Sequence, residues 1–268
     1  MNENFFAGKV IVITGASSGI GAELARQLAP LPVTVALLAR SREGLTKLAT
    51  SLPSPKAAFR IVPCDVQNGE SVKEAIRSVV SEAGQIDILI NNAGIGQFGP
   101  LDGTPLDQIA QVISTNVTGL LAVTREAIPV MKGKRSGVIV NISSVASYHG
   151  QPRLIAYSSS KAAVYSISEG LRAELHPFGI RVLDVQPGVI DNTFHRHALG
   201  AKSHVYRERQ IKGASEQDLV QSILRSIGSG KKELVFPWYW TLYKIIDRIC
   251  PSLVEWGVVR FMLPTLKK

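Results

Sequence analysis

Short apolar runs rich in β-branched residues alternate along this chain with longer amphipathic stretches. The apolar runs lie at residues 9–14, 33–38, 59–63, 85–90, 137–142, 180–186 and 233–236. Each run is typical of a strand buried on both faces of a parallel sheet. Helical periodicity marks residues 22–29, 71–83, 106–131, about 153–176 and 215–226. Because the alternation continues without a linker, we predict a single doubly wound α/β domain with a mostly parallel sheet of about seven strands flanked by helices.

A glycine-rich turn follows the first strand and opens a helix. Gly15, Gly19 and Gly21 are spaced GxxxGxG. The first glycine allows a tight turn, the second lets the backbone approach a pyrophosphate, and the third allows close helix packing. In this position the turn predicts phosphate binding at a helix N-terminus, in which Ser17, Ser18 and Ile20 would take part. We therefore predict a Rossmann-type dinucleotide-binding domain over residues 1–236.

The second strand ends in a basic turn, Arg40-Ser41-Arg42. A dinucleotide site selective for NAD would normally place an acid here against the ribose 2′-hydroxyl. Guanidinium groups instead suit a 2′-phosphate, through charge-assisted hydrogen bonds. We therefore expect NADP (NADPH) as cofactor and regard NAD as the weaker candidate. The alternative is that both arginines are simply exposed at the start of a helix.

Three further strand ends carry residues suited to cofactor contact. Asp65, followed by Val66, lies near an expected adenine amino group, although it would equally serve as the cap of the next helix. Small and amide residues after the fourth strand, Asn92, Ala93 and Gly94, would let the backbone lie close to a cofactor. The last group, Pro187, Gly188 and Ile190, follows the sixth strand.

Polar residues around the fifth strand form a candidate catalytic group. Ser144 follows that strand, at the edge where open α/β sheets bind ligands. Tyr157 and Lys161 are four residues apart, so they share one helix face. A lysine cation favours the phenolate and brings the tyrosine pKa down from about 10. Asn116 lies in the middle of the long helix at 106–131, which indicates either a kink with polar contacts or simple exposure.

Composition excludes several classes of protein. The formal charge of +9 is dispersed, without a basic block that would mark a nucleic-acid patch. Cys64 and Cys250 are far apart, so neither a disulfide framework nor a zinc site is supported. His195, His197 and His204 lack a metal-binding spacing, and we expect no metal. No apolar run has the ~18 residues of a membrane span, residues 1–8 are too short for a signal peptide, and we expect a cytoplasmic protein.

The extension at residues 237–268 contains all three tryptophans. A helical apolar stripe runs along it, opposed by Lys244, Asp247 and Arg248. The stripe consists of Trp238, Leu242, Ile245, Ile246 and Ile249. Three interpretations stay open: the stripe covers the substrate pocket or packs on the core, it joins a subunit interface, or it makes peripheral contact with a membrane surface.

Taken together, these motifs resemble the short-chain dehydrogenase/reductase family over residues 8 to about 236. The matching segments are T-G-A-S-S-G-I-G at 14–21, N-N-A-G at 91–94, Asn116, the Ser144–Tyr157–Lys161 set and P-G at 187–188. The resemblance implies a catalytic tetrad of Asn116, Ser144, Tyr157 and Lys161. It also implies that Tyr157 and Lys161 contact the cofactor, and that dimers or tetramers form through the helices of Asn116 and Tyr157.

The resemblance further implies the role of each tetrad residue. Tyr157 protonates a carbonyl oxygen, Ser144 orients that carbonyl, and Lys161 binds the nicotinamide ribose and lowers the tyrosine pKa. Asn116 holds a water in the proton relay. The family often places a threonine five residues after the proline, whereas this chain has Asn192 there and Thr193 next. Either residue would contact the nicotinamide amide.

The expected activity is NADP(H)-dependent interconversion of a carbonyl and an alcohol. The aromatic extension resembles those of family members that act on lipophilic substrates such as steroid-, retinoid- or fatty-ketone-like compounds. A 3-oxoacyl-thioester reductase is an alternative. A non-catalytic NADP-binding sensor and a membrane-associated scaffold are alternatives of another class, although neither needs both Tyr157 and Lys161.

Overall fold

A computed structural model describes residues 3–52, 55–192, 194, 198–200 and 213–262. Seven strands form one parallel sheet in the order β3-β2-β1-β4-β6-β7-β11. They are β1 (Val10–Thr14), β2 (Thr34–Ala39), β3 (Ala58–Pro63), β4 (Ile88–Asn91), β6 (Gly137–Ile142), β7 (Ile180–Pro187) and β11 (Glu233–Phe236). Four two-residue strands pair outside this sheet: β5 (Gln97–Phe98) with β9 (Leu199–Gly200), and β8 (Ile190–Asp191) with β10 (Ala214–Ser215). The predicted doubly wound, Rossmann-like sheet is confirmed.

Helices cover both faces of the sheet. They are α1 (Glu3–Phe6), α2 (Gly19–Leu28), α3 (Arg42–Ser51), α4 (Gly69–Ala83), α5 (Leu106–Ile113), α6 (Leu120–Lys134), α7 (Ile155–Leu175), α8 (Glu216–Ser229), α9 (Trp240–Ile249) and α10 (Pro251–Gly257). Short 3₁₀ turns lie at Leu101–Gly103, Val145–Ser147 and His176–Phe178, and π-helical turns at Ser114–Gly119 and Val258–Met262. None of the helices described is long and apolar enough to cross a membrane.

The predicted continuous helix over 106–131 is wrong in one respect. The structure divides it into α5 and α6, joined by the π-helical turn Ser114–Gly119. Such a turn widens the helix locally and often marks a functional position. Asn116 lies inside it, and its side chain is bound to backbone groups outside the helix.

Two apolar clusters hold the sheet between its helical layers. Alternate side chains of each strand point to opposite faces, so Ile11 and Ile13 join the cluster under α2 and α8, while Val10 and Val12 join that under α4 and α6. All four are buried. Since burial on both faces leaves no polar face, the strands appear in the sequence as continuous apolar runs.

The parallel arrangement places all strand carboxyl ends at one edge. The turns after β1, β4, β6 and β7 therefore meet there. The chain leaves β1 towards β2 on one side, whereas β4 lies on the other side of β1, which makes this the topological switch point where open α/β sheets bind ligands. The sequence at about 189–214 is polar and weakly patterned, which predicts a substrate loop, and most of this stretch lies outside the described residues.

Replacing a buried core leucine tests this packing. Leu89 in β4 is fully buried, so Leu89→Ala should reduce the free energy of unfolding by ~2–5 kcal/mol through lost burial and the resulting cavity. Leu101→Ala, at a side chain 55% exposed, is the matched control and should change it by only about 0.5 kcal/mol. Urea unfolding measures both, and equal losses would contradict the described core.

Candidate active site

The turn between β1 and α2 is shaped for close approach of a ligand. Gly15 and Gly19 have φ of +63° and +53°, a region that residues with side chains rarely adopt. A Cβ on Gly15 would lie 2.8 Å from the Cα of Ala93, and one on Gly21 would lie 2.4 Å from the Gly15 carbonyl oxygen. α2 begins at Gly19, so its first backbone N–H groups point towards the ligand edge. This cradle fits a diphosphate.

Hydrogen bonds join the turns after β1 and β4 into one unit. Thr14 Oγ1 accepts the N–H groups of Asn92 and Ala93, both at 3.0 Å. Asn92 Nδ2 donates to the carbonyl oxygens of Thr14 and Gly15 at 3.0 and 3.1 Å. The predicted Asn92–Gly94 segment is therefore adjacent to the glycine-rich turn.

The basic turn after β2 lies beside the same cradle. Ser41 Oγ accepts the N–H of Gly44 at 3.0 Å and caps α3. A Cβ on Gly44 would lie 3.4 Å from the Cβ of Ser17, which puts the two turns in contact. Arg40 and Arg42 are exposed, and within the described part of the chain neither is paired with an acid. Both guanidinium groups are thus free to meet an anion.

Asp65 does not have the capping role that was one of its two predicted functions. Its carboxylate accepts the N–H of Gln67 at 3.0 Å, whereas Asn68 Oδ1 caps α4 by accepting the N–H of Ser71 at 3.0 Å. Val66 packs against the π-helical turn at Gly119. A Cβ built on Gly119 would lie only 2.9 Å from the Val66 side chain.

Asn116 is buried in a polar kink, the first of its two predicted environments. Its Oδ1 accepts the Ile95 N–H at 2.8 Å, and its Nδ2 donates to the Ile95 carbonyl and to Ser160 Oγ, both at 2.9 Å. A Cβ on Gly94 would lie 3.3 Å from Asn116 Oδ1 and 3.5 Å from Lys161 Nζ. The π-helical turn therefore brings Asn116 next to Lys161 on α7.

Lys161 and Tyr157 lie on α7, four residues apart, and Lys161 lies over the end of β6. Lys161 is 5% exposed, its Nζ donates to the Ile142 carbonyl at 2.8 Å, and the same Nζ is 5.8 Å from the Tyr157 ring centroid. Ser144 follows β6, donates through Oγ to the Pro187 carbonyl at 3.3 Å and accepts the Ala146 N–H at 3.2 Å. The structure thus places all four predicted catalytic residues at one edge of the sheet.

A second buried charge lies beneath this site. Burial lowers the pKa of Lys161 to about 8, and the Asp184 carboxylate opposes that shift. Asp184 is fully buried in β7, and burial raises the pKa of its carboxyl despite hydrogen bonds from Gln186 Nε2, Ser143 Oγ and Ser168 Oγ at 2.6, 2.9 and 3.1 Å. Sequence reasoning missed Asp184, although an acid inside the apolar run at 180–186 was the available signal.

The segment after β7 is covered by the C-terminal extension. Gly188 donates its N–H to Phe236 at 2.7 Å, and a Cβ on it would lie 2.2 Å from Trp240 Nε1. Only glycine leaves room for this indole. Ile190 is buried and pairs with Ala214. Trp240 was not predicted to lie at the site, and sequence patterning carries no signal for this contact.

Asn192 is bound to an acid beside the glycine-rich turn. Its Nδ2 donates to Glu216 Oε1 at 3.0 Å, and its Oδ1 accepts the Phe194 N–H at 3.0 Å. Glu216 Oε1 lies 3.5 Å from a Cβ built on Gly19, and burial raises the pKa of its carboxyl. Thr193 lies outside the described residues, as do His195, His197 and His204. In the part that the structure describes, no cluster of acids, histidines and cysteines suits a metal.

The loop after Ser144 also contacts the extension. Tyr148 hydrogen-bonds Gln186, and its ring lies 6.3 Å from that of Tyr243. His149 Nδ1 lies 3.0 Å from Asp247 Oδ1. The Phe194 ring lies 5.8 Å from that of Tyr157. Aromatic side chains therefore lie against Tyr157 and against the loop after Ser144.

Comparison with known proteins agrees with this geometry. A family model described as short chain dehydrogenase matches residues 9–204. The dehydrogenase/reductase SDR family protein 7-like of Anopheles gambiae is 32% identical, over 95% of this chain and 83% of that protein.

Two solved structures share the fold. A short chain dehydrogenase from Burkholderia cenocepacia, in complex with NADP, is 27% identical with a TM-score of 0.78, over 94% of this chain and 98% of that one. A short chain dehydrogenase/reductase from Burkholderia phymatum, in complex with NAD, is 25% identical with a TM-score of 0.80, over 94% and 96% of the two chains. The chain therefore belongs to the short-chain dehydrogenase/reductase family of oxidoreductases.

Proposed function

We propose that the protein is an NADP(H)-dependent oxidoreductase that interconverts a carbonyl and a primary or secondary alcohol in a lipophilic molecule. The observation that carries the proposal is the buried Lys161 ammonium, held at the Ile142 carbonyl with its Nζ 5.8 Å from the Tyr157 ring centroid. A purely structural helix gains nothing from burying a lysine there, since burying a charge is unfavourable. This argues against a non-catalytic NADP-binding sensor.

Tyr157 acts as general acid and base in the proposed mechanism. In reduction its hydroxyl gives a proton to the substrate oxygen, and in oxidation its phenolate takes the proton back. The Lys161 cation favours the phenolate and so lowers the energy of that transfer. The nicotinamide, when bound, supplies or accepts the hydride.

The other site residues position the reactants. Ser144 Oγ polarises and orients the substrate carbonyl, and Lys161 also binds the nicotinamide ribose. Asn116 fixes the Ile95 backbone beside Lys161 and holds the relay water. The glycine-rich turn from Gly15 to Gly21 receives the diphosphate, with Ser17, Ser18 and Ile20 at its rim. Asp65, Val66, Asn92, Ala93, Gly94, Pro187, Gly188 and Ile190 line the rest of the cofactor site.

Preference for NADP rests on the two arginines of the basic turn. Arg40 and Arg42 are exposed beside Ser17, without an acid that would bind a ribose 2′-hydroxyl in their turn. Solved relatives bind either cofactor, so family membership is compatible with both. The positive charge of this turn supports the 2′-phosphate.

A lipophilic substrate is supported by the aromatic side chains at the site. Phe194 lies against Tyr157, and Trp240 lies over Gly188. A 3-oxoacyl-thioester reductase remains the second candidate among carbonyl substrates. We further propose a cytoplasmic homodimer or homotetramer, supported by the exposed apolar side chains Leu106, Ile113, Leu121 and Ile155 on the helices around Asn116 and Tyr157.

Removing the Tyr157 hydroxyl tests the proton transfer. Tyr157→Phe should reduce kcat by about 10²–10⁴-fold, with NADPH affinity little changed, because general acid–base catalysis is lost. NADPH consumption with a panel of lipophilic ketones measures kcat, and fluorescence titration measures affinity. Tyr165→Phe, on the same helix with its hydroxyl bonded to Glu233, is the control and should keep activity. Substantial turnover by Tyr157→Phe would overturn the mechanism.

Reversing the charge of Arg40 tests cofactor choice. Arg40→Asp should weaken NADPH binding by roughly 10- to 100-fold, the value of a charge-assisted hydrogen bond, and leave NADH binding almost unchanged. Arg77→Asp makes the same charge change at an exposed position on α4 and is the control. Titration of each variant with NADPH and with NADH, followed by nicotinamide fluorescence, measures the two affinities. An equal loss for NADPH and NADH would make Arg40 structural.

The pH dependence of alcohol oxidation tests the role of the lysine. Because burial lowers the pKa of Lys161 to about 8, its charge is present below that pH and lost above it. Oxidation needs both the phenolate and this cation, so kcat/KM should fall as pH rises through about 8.

Two variants test whether Lys161 causes this fall in kcat/KM at high pH. In Lys161→Arg the guanidinium stays charged, so the fall should disappear from this pH range. In Asp184→Asn the fall should move to lower pH, because the carboxylate raises the pKa of Lys161. Alkaline limbs unchanged in both variants would mean that another group titrates.

A further inference from the structure

On helix α9, Lys244 and Asp247 are turned towards the protein, whereas the aliphatic side chains are turned towards solvent. Lys244 forms an ion pair with Glu233, and Asp247 pairs with His149 at 3.0 Å. The side chains of Lys244 and Asp247 are only 17% and 15% exposed. Ordinary surface helices show the opposite orientation.

The exposed apolar side chains of α9 and of the segments directly before and after it are called here the outer tail face. Its aliphatic members on α9 are exposed by 43–79%. They are Leu242, Ile245, Ile246 and Ile249. Leu253, Trp256 and Val259 continue the surface at 52–58% exposure, and Trp238 and Tyr239 precede α9 at 74% and 52%. Exposed apolar surface of this extent on a small domain marks an interaction site.

Charge identifies the partner. The extension at residues 237–268 contains five basic residues, Lys244, Arg248, Arg260, Lys267 and Lys268, against two acids, Asp247 and Glu255. Lys244 and Asp247 are both turned inwards, and the exposed charges in the described part of the extension are Arg248, Arg260 and Glu255, an excess of one positive charge. A second copy of this face would bring like charges together, whereas an anionic lipid surface would attract them.

The aromatic residues and the length of α9 indicate how the helix would be oriented on a bilayer. Tryptophan and tyrosine favour the boundary between headgroups and acyl chains, where an apolar ring and a polar N–H or O–H are both accommodated. The ten residues of α9 extend about 15 Å, half of the ~30 Å hydrocarbon thickness. This geometry suits a helix that lies along the interface.

We propose that the outer tail face docks on an anionic bilayer, with α9 and α10 lying in the interface. The inward side of α9 contacts the loop after Ser144 through His149 and the segment after β7 through Trp240. The docked surface therefore adjoins the candidate active site. This inference depends on the tail alone, and it stands or falls independently of the proposed reaction.

Vesicle sedimentation with the full chain tests the docking. The protein should co-sediment with phosphatidylcholine vesicles that contain phosphatidylserine, bind far less to phosphatidylcholine alone, and dissociate as salt rises. Leu242→Ser combined with Ile249→Ser should weaken binding by about tenfold or more, because two aliphatic groups no longer enter the lipid. Leu101→Ser is the matched control, since Leu101 and Leu242 are 55% and 56% exposed.

Four readouts make the outcome decisive. Circular dichroism and NADPH titration show whether the tail variant remains folded, and quenching of tryptophan fluorescence by brominated lipid reports insertion of Trp238 and Trp256. Insertion that the tail variant loses and Leu101→Ser keeps would support the proposal. Absence of vesicle binding, equal binding with and without phosphatidylserine, or equal binding by the tail variant would overturn it. A tail variant altered only in oligomeric state by ultracentrifugation would assign the face to a subunit contact instead.

Discussion

A buried lysine is the constraint around which the ligand edge of this fold is arranged. The Lys161 ammonium lies inside the protein, donating to the Ile142 carbonyl where β6 ends. Burying such a charge is tolerated only where acceptors and opposite charge are close. The strand carbonyl supplies the acceptor, and Asp184 supplies the charge from the neighbouring strand. The position of α7 over the sheet follows from these contacts and from its packing.

Two other features of this edge depend on neighbouring backbone segments that lie very close to each other. The turn after β1 contacts the turn after β4 so closely that Gly15 and Gly21 have no room for a Cβ. The π-helical turn then brings Asn116 to Ile95 and Ser160, which connects the loop after β4 with α7. A ligand at this edge would meet backbone groups and a few fixed polar side chains, an arrangement that lowers the reorganisation required for catalysis.

The C-terminal extension joins this edge to the outer surface. Trp240 fills the space above Gly188, and the Asp247–His149 and Lys244–Glu233 pairs hold α9 in its inverted orientation. The aliphatic face of α9 is left outside because the polar face has partners on the protein. The candidate active site and the outer tail face are therefore connected through α9, and a shift of α9 would also displace the loop after Ser144.

Local sequence determined the elements of this protein and many of the residues brought to its edge. Apolar runs specify the parallel strands because burial on both faces removes polar alternation. Gly15 and Gly19 specify the turn because residues with side chains rarely adopt their positive φ angles. The i,i+4 spacing of Tyr157 and Lys161 places both on one face of α7.

The periodicity of the sequence does not show which residues distant along the chain come into contact. The π-helical turn at Asn116 depends on hydrogen bonds to Ile95 and Ser160. Asp184 is held by donors from the turn after β6, from β7 and from α7. A helix stripe shows that one face is apolar, but the contacts of Lys244 with Glu233 and of Asp247 with the distant His149 decide that this face points outwards.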